Sequence, residues 1–457
     1  MQSASTIALR HKLSIATALF SSLFFSSVHA QDNSAYSRYG LGNLYPRMNV
    51  INRGMGGVSA AYSDIFSINY NNPASYAGFQ VFQEQRSKKV SSARVILDAA
   101  VNFDSRKLAE PNTTRSFRAN DILFSHVYVG VPIRKNWGMS FGIRPLSRVG
   151  YNILRAEKLT SPSGTVIDSA VTQYTGTGGS FLPTIGTGFG TNNFRVGFNV
   201  GYLFGKKELT TRRAFLSDTA EYAASNHTTN TNYGSLFYTV GAQWMVDLSK
   251  TSVLRIGASG NWKQTLSGTQ DVLRQTYTRN TAGQELRVDS VFQQNDIEGN
   301  VVYPATYTAG FMLDFAPGQR TRGWNIGVDY AAGKWNDYRF FGAQDLVQNN
   351  WELRFGAQIT PSETAIQNGK LKSYRFGFFT GRDYVKVGND LPVYGFTFGL
   401  GLPLRNYSRL SNQASVLNFG LEYSRRGNDK NVIKEDLFRL SLGLNFTDFW
   451  FGKRKYD

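Results

Sequence analysis

Apolar residues alternate with small, polar or charged residues along much of the chain. Successive side chains of a β-strand point to opposite faces, so this period of two predicts strands with one apolar face and one polar face. The clearest run has apolar residues at Phe194, Val196, Phe198, Val200, Tyr202 and Phe204. The same pattern recurs in residues 137–143, 351–355, 417–423 and 438–446.

Alternation alone fits either a soluble β-sandwich or a membrane β-barrel. Connection lengths favour the barrel, because short and long connections alternate along the chain. The short ones follow the second, fourth, sixth and eighth strands, whereas residues 205–232 and 267–299 form predicted long polar loops. We therefore predict an all-β fold, a 14-stranded antiparallel transmembrane β-barrel. The predicted strands are 91–104, 120–133, 136–154, 170–188, 193–206, 233–247, 252–268, 300–315, 322–335, 350–361, 371–382, 393–404, 415–425 and 436–447.

Composition agrees with an exported membrane protein. Mean hydropathy is −0.31, but that average does not detect barrels, whose strands mix apolar and polar residues. The chain has no Cys, and its net charge is +18. A basic surface suits the anionic phosphates of outer-membrane lipid and lipopolysaccharide. The sequence contains no basic-aromatic module for nucleic acid.

The chain has the organisation of an exported protein with a segment ahead of its barrel. Residues 1–30 have a basic start, an apolar core and a small-residue end, as in a cleaved signal peptide. We predict a hatch or plug over 31–90, the barrel over 91–447 and a periplasmic tail over 448–457. The protein is expected in the outer membrane of a Gram-negative cell.

Residues 36–78 do not alternate, and they are rich in glycine and aromatic residues. Such a segment would either plug the lumen or extend into the periplasm, and its composition favours the plug. Arg53-Gly54-Met55-Gly56-Gly57 followed by Asn72-Pro73-Ala74 resembles the N-terminal hatch of the FadL/OmpP1/TodX family, in a divergent form common in Bacteroidetes. The hatch residues that this resemblance implies are Arg53, Gly54, Gly56, Gly57, Asn72, Pro73 and Ala74.

The resemblance implies uptake of hydrophobic molecules through a gap in the wall. In the family, the gap arises from a kink in the third strand, and here the predicted third strand contains Pro145. A proline cannot donate to a strand ladder, so it suits a kink. A simple bulge or a misplaced strand end explains Pro145 equally well, and Pro183 in the next strand is a competing position for the kink.

The sequence does not predict an enzyme. Only His126 and His227 follow the signal peptide, and each is expected to be an ordinary lumen or surface residue. We predict no catalytic residue, no metal site and no cofactor. Six charged residues on the polar faces are expected to pair across the lumen and hold the plug: Arg144, Arg195, Glu352, Arg354, Glu422 and Arg439.

The leading hypothesis is passive uptake of small hydrophobic, fatty-acid-like molecules, with hatch movement and lateral exit. The alternative is a structural or partner-binding barrel of an outer-membrane complex, such as that of type IX secretion. A general porin is disfavoured, because a plug would block water flow. An apolar tunnel would support uptake, whereas a lumen filled by salt-bridged polar side chains would support the structural alternative.

Overall fold

A computed structural model describes residues 34–84, 90–111, 113–216, 222–280, 284–362, 372–404 and 414–450. The predicted signal peptide, and residues 451–457 of the predicted tail, lie outside these residues. The described strands are β1 (Asn43–Leu44), β2 (Val81–Gln83), β3 (Val90–Ala109), β4 (Ser116–Arg134), β5 (Trp137–Thr160), β6 (Val166–Gly190), β7 (Phe194–Phe215), β8 (Ala224–Asp247), β9 (Ser252–Asn261), β10 (Gln264–Arg279), β11 (Glu285–Tyr303), β12 (Thr306–Phe315), β13 (Gly323–Gly333), β14 (Arg339–Phe340), β15 (Asn350–Thr360), β16 (Ser373–Val387), β17 (Asn389–Leu404), β18 (Ala414–Arg426) and β19 (Lys434–Trp450).

These strands form a closed antiparallel barrel with fourteen wall positions. β9 and β10 occupy one position in succession, as do β11 and β12, because β8 pairs with both β9 and β10. β1, β2 and β14 are short additions to the wall. The last strand, β19, pairs with β3 and closes the ring. The predicted 14-stranded barrel is confirmed, and each predicted strand lies on one wall position.

The two faces of the wall differ as the alternation requires. On β7, Phe194, Phe198 and Tyr202 are about half exposed on the outer face, whereas Asn199 is buried inside. The outer face therefore carries an aromatic band suited to lipid, and the inner face is polar. No helix among the described residues is long and apolar enough to cross a bilayer.

The predicted long loops are wrong, because most of their residues extend the wall strands. β7 continues to Phe215 and β8 begins at Ala224, and these extensions pair with each other. β10 and β11 pair as far as Arg279 and Glu285. His227 accordingly lies on β8 and not in a loop. Beyond the lipid both strand faces meet water, so the apolar alternation that marks a membrane strand is missing there.

The wall strands span residues 90–450 of the chain. The first long wall strand begins at Val90, and the last ends at Trp450, three residues past the end predicted for the final strand. The connections after β4, β6 and β8 are short and lie on one rim. Short turns mark the periplasmic rim of outer-membrane barrels, so the long β7–β8 and β10–β11 hairpins extend from the extracellular rim.

Candidate functional site

The candidate site is the segment from Ser34 to Phe79 and the inward-facing wall residues that it contacts. Two short helical turns shape this segment. Helix α1 (Val50–Gly54) begins at Asn49, whose side chain accepts a hydrogen bond from the Asn52 N–H at 2.9 Å. A 3₁₀ helix (Pro73–Gly78) begins at Asn72, whose side chain accepts from the Ala74 N–H at 3.1 Å. Asparagine caps and a first-turn proline are standard helix-start chemistry.

The predicted residues Asn72, Pro73 and Ala74 meet the wall between β6 and β9. The Asn72 amide donates to Ala60 O at 2.6 Å within the segment and to Ala242 O of β8 at 3.1 Å. The Pro73 backbone lies directly over Gly197 of β7, where an added Cβ would be 2.4 Å from its carbonyl carbon. Ala74 is fully buried. This part of the segment is therefore fixed by one capping asparagine and by close backbone contact.

The predicted glycines meet another part of the wall, formed by β15, β16 and β17. The Gly56 N–H donates to the Thr397 hydroxyl at 2.8 Å, and that hydroxyl donates to Gly54 O at 3.1 Å. Gly56 has a φ of +66°, which favours glycine. Gly57 lies beside Arg354, and the Arg354 guanidinium donates to the Gly57 carbonyl oxygen at 3.5 Å.

A ring of glycines on the wall lets the segment approach this closely. At each of them an added Cβ would come within 3.3 Å of an atom of residues 50–79. Many are cross-strand partners, such as Gly188 with Gly197 and Gly356 with Gly377. We call this set the glycine ring: Gly130, Gly138, Gly188, Gly197, Gly241, Gly257, Gly327, Gly356, Gly377, Gly399, Gly420 and Gly443.

Arg53 anchors α1 to the opposite charge inside the wall. Its guanidinium donates to Asn102 at 2.9 Å and to the Ser441 hydroxyl at 3.1 Å, and it lies 3.9 Å from the Glu422 carboxylate. Burial is the largest influence on this group and lowers the pKa of Arg53, followed by the nearby positive charge of Arg439. Glu422 also lies 3.9 Å from Arg439 and so links the two guanidinium groups.

The other predicted inward charges also lie at the inner face. Arg354 pairs with Glu352 at 2.5 Å. Arg195 donates to the Ser63 hydroxyl of the segment at 3.5 Å, and Arg144 lies over the Tyr70 ring at 5.8 Å. Arg439 forms a buried pair with Asp104, with one bond of 2.6 Å.

Sequence reasoning missed Asp329, which accepts two backbone hydrogen bonds from the segment. Its carboxylate accepts the N–H groups of Ser59 at 2.7 Å and Ala60 at 2.8 Å, and the residue is fully buried. The signal was its place in the polar set of β13, between Val328 and Tyr330. A lone aspartate in an alternating strand does not stand out without its partner.

The start of the segment lies under the extracellular rim. The Ser34 N–H donates to Gly150 O of β5 at 3.0 Å, and the Tyr36 hydroxyl donates to Ile433 O at 2.7 Å. Burial raises the pKa of Tyr36 to about 12. An aromatic cluster lies next to it, with Trp335, Tyr338, Tyr303 and Tyr384 buried together.

The wall ladder between β4 and β5 is short. Its first pair is Arg134 with Trp137 and its last pair is Val127 with Ile143. Pro145 follows on β5, two residues after Ile143. Beyond that point β5 pairs with β1 of the segment, at Ser147 and Arg148. Pro183, the competing kink, is the β6 partner of Ile143, so both prolines lie at the same level of the wall. Arg148 forms an ion pair with Asp121 of β4 at 3.0 Å across this interval.

A cavity of about 290 Å³ lies between the segment and the wall, and it is lined both by charged side chains and by apolar ones such as Leu44, Met48 and Phe379. Its lining includes charges of both signs: Arg53, Arg106, Glu352, Arg354, Glu422, Arg426, Glu435 and Arg439.

His126 is buried beside the segment, with Nε2 3.0 Å from Asp98 and Nδ1 3.1 Å from the Ser125 hydroxyl. In the part of the chain that the structure describes, no group of three or more acidic, His or Cys residues is arranged to hold a metal ion.

Residues 11–457 match the model of the BamG family. The chain belongs to the BamG family. No curated protein is similar enough in sequence to match this member of the family.

Solved structures with the same fold cover nearly the whole chain. The CymD monoaromatic hydrocarbon channel is 13% identical with a TM-score of 0.51, covering 89% of this chain and 98% of its own. A Pseudomonas aeruginosa FadL homologue is 12% identical with a TM-score of 0.51, covering 90% of this chain and 98% of its own. The Ralstonia pickettii toluene transporter TbuX is 12% identical with a TM-score of 0.50, covering 88% and 98%. The FadL-type resemblance is therefore confirmed as a fold, and the protein is an outer-membrane β-barrel.

Proposed function

We propose that this BamG-family barrel is a structural, partner-binding subunit of an outer-membrane complex, with its N-terminal segment as a permanent plug. One observation carries the proposal: residues 34–79 are bonded to inward-facing wall residues on every side of the lumen. α1 is held at β17 and β19, the Ser59–Ala60 turn at β13, and the Asn72 cap at β8.

Opening such a lumen would be costly. Moving residues 50–60 would leave the buried Arg53 guanidinium and the Asp329 carboxylate without their partners, and each buried unpaired charge costs roughly 3 kcal/mol. The sequence has no nucleotide-binding motif that would supply this energy. The cavity beside the segment contains ion pairs such as Arg354–Glu352, whereas sites for apolar ligands are lined mainly by apolar side chains with few polar groups.

A reversible lock separates a permanent plug from a moving hatch. The chain has no cysteine, so two introduced cysteines would form one defined disulfide. Val50 of α1 and Gly443 of β19 suit this design, because an added Cβ at Gly443 would lie 3.2 Å from the Val50 Cβ, and a small shift of α1 would reach the roughly 3.5–4.5 Å of a disulfide. In the Val50→Cys/Gly443→Cys variant we expect the same complex and the same cell growth whether the disulfide is oxidised or reduced. Function lost on oxidation and restored on reduction would overturn the permanent plug.

Native mass spectrometry of the protein extracted in mild detergent tests the partner. We expect the barrel in a stable assembly with another protein and with no stoichiometric hydrophobic ligand. Detection of the barrel without a protein partner, and with a bound hydrophobic molecule, would overturn the structural proposal in favour of uptake.

The second candidate function is passive uptake of small hydrophobic, fatty-acid-like molecules, with hatch movement and lateral exit. The early end of the β4–β5 ladder, next to Pro145, supports it. The same disulfide variant tests it in liposomes loaded with a solvatochromic fatty-acid probe. Uptake that requires the reduced form would support a moving hatch, and equal rates in both forms would exclude hatch movement.

A further inference from the structure

The β10–β11 hairpin stands above the lipid band. On the outer face of β8, Trp244, Val240 and Leu236 are about half exposed, as expected for side chains that meet lipid. Above them, β8 pairs with β10, from the pair Tyr233 and Gly268 out to the pair Ala224 and Tyr277. Gly268 pairs on its other side with Gly299 of β11. Residues 287–299 therefore lie level with β8 residues 224–233, and residues 285–286 lie further out, all beyond the apolar band and in the extracellular water.

Apolar side chains in this part of β11 are unusually exposed for such a position. Leu286 is 52% exposed, Val288 58%, Val291 68% and Phe292 42%. Residues on both faces of this stretch are exposed, which differs from a lipid-facing strand with one buried face. Exposed apolar residues grouped in water mark an interaction surface. We call residues 286–299 the β11 edge.

One long side of the β11 edge lacks a wall partner in the described residues. β11 pairs with β10 on one side, and on the other side β14 meets it only at Val301 and Val302. The extracellular sheet thus ends at this strand. An unpaired strand side is a surface that proteins either protect or use for binding.

Charge distinguishes the β11 edge from the rest of the protein. It carries Asp289, Asp296 and Glu298 against one arginine, Arg287, in a chain whose net charge is +18. No ion pair involves these three carboxylates in the residues that the structure describes. They would repel the phosphates of lipopolysaccharide and the same edge of a second copy, and they would attract a basic surface.

Bulges in β11 also disfavour pairing between two copies. The register with β10 shifts at Gln270/Val272, Arg274/Gln275 and Thr276/Tyr277, each time leaving an extra residue on β11. Bulges interrupt the regular backbone ladder that an incoming strand would need. A partner would therefore recognise side chains of the β11 edge, among which Val291 is the most exposed apolar one.

We propose that the β11 edge is the docking surface for a second, different protein at the cell surface, which presents an apolar patch flanked by lysine or arginine. This rests on the proposed partner-binding function and names the place and chemistry of the contact.

Photocrosslinking in the native cell tests the placement. A benzophenone amino acid at position 291 is compared with one at position 432, because Val432 is also a valine on the extracellular rim and is 64% exposed. We expect an adduct from position 291 alone, joined to a lysine- or arginine-flanked apolar segment of another protein. An adduct with lipopolysaccharide, with a second copy, or equally from position 432 would overturn the proposal.

Substitution tests the chemistry. We expect Val291→Asp to weaken the complex about tenfold or more, and Val432→Asp to leave it unchanged. Glu298→Lys should weaken it and remove its sensitivity to salt. A complex that forms normally with both Val291→Asp and Glu298→Lys would overturn the β11 edge but keep the partner-binding function. Absence of any protein complex with the unmodified barrel would instead overturn the proposed function itself.

Discussion

A methyl group at Gly377 should loosen the N-terminal segment without opening the barrel. In the Gly377→Ala variant the new Cβ would lie 1.9 Å from the Gly56 nitrogen and 2.3 Å from the Met55 carbonyl carbon. Both neighbours are backbone atoms, so no side chain can rotate away. The segment would have to retreat by roughly 1 Å or more to restore ordinary contact.

The cost follows from that displacement. Overpacking of this kind costs about 1–3 kcal/mol. The retreat would also stretch the 2.8 Å bond from the Gly56 N–H to the Thr397 hydroxyl, and a buried bond of this type contributes about 1 kcal/mol. We therefore expect local opening of residues 50–60 to become easier by about 2–3 kcal/mol, or about 30-fold or more in the opening equilibrium.

Hydrogen–deuterium exchange of the purified barrel measures this opening peptide by peptide. Gly420→Ala is the matched control, because the change is identical but the new Cβ would meet only side-chain atoms, at 3.3 Å from Val50 and 3.5 Å from Ser441. Exchange in residues 50–60 should accelerate in Gly377→Ala and not in Gly420→Ala, with the wall strands unchanged in both. Equal exchange in the two variants would refute the close-contact reasoning.

Two other predictions concern the charged contacts. Asp329→Asn replaces a carboxylate acceptor by an amide, so exchange at Ala60 should accelerate, with a loss of about 2 kcal/mol in local stability; unchanged exchange there would show that the bond contributes nothing. Arg439→Met leaves Asp104 buried and unpaired, so the free energy of unfolding should fall by about 3–5 kcal/mol in thermal or denaturant melts. The double variant Arg439→Met/Asp104→Asn should recover part of that loss, and a double variant as unstable as the single one would contradict the pairing.

The proposed docking surface and the short β4–β5 ladder lie in separate parts of the molecule. The β11 edge lies on the extracellular hairpin, whereas the short ladder lies between β4 and β5. A variant in one region therefore leaves the other intact, and the two candidate functions can be tested in the same protein.

The sequence by itself determined the strands of the wall. Alternation such as Phe194 to Phe204 is decided locally, because a strand between lipid and a polar lumen needs one apolar and one polar face. The helix start at Asn72-Pro73 also depends on bonds to its own neighbours, although the sequence pattern did not predict it. The hairpin extensions were missed because both of their faces meet water, which removes the alternation.

Only the tertiary structure decided which wall residues hold the segment. Asp329 and Ser59 are 270 residues apart in sequence, and nothing near either one specifies the other. The interleaved glycines were visible from the start, but their purpose depends on barrel closure, which brings Gly377 against Gly56 and Gly197 against Pro73. Closure is a long-range pairing of β3 with β19, so its consequences appear only when the whole ring has formed.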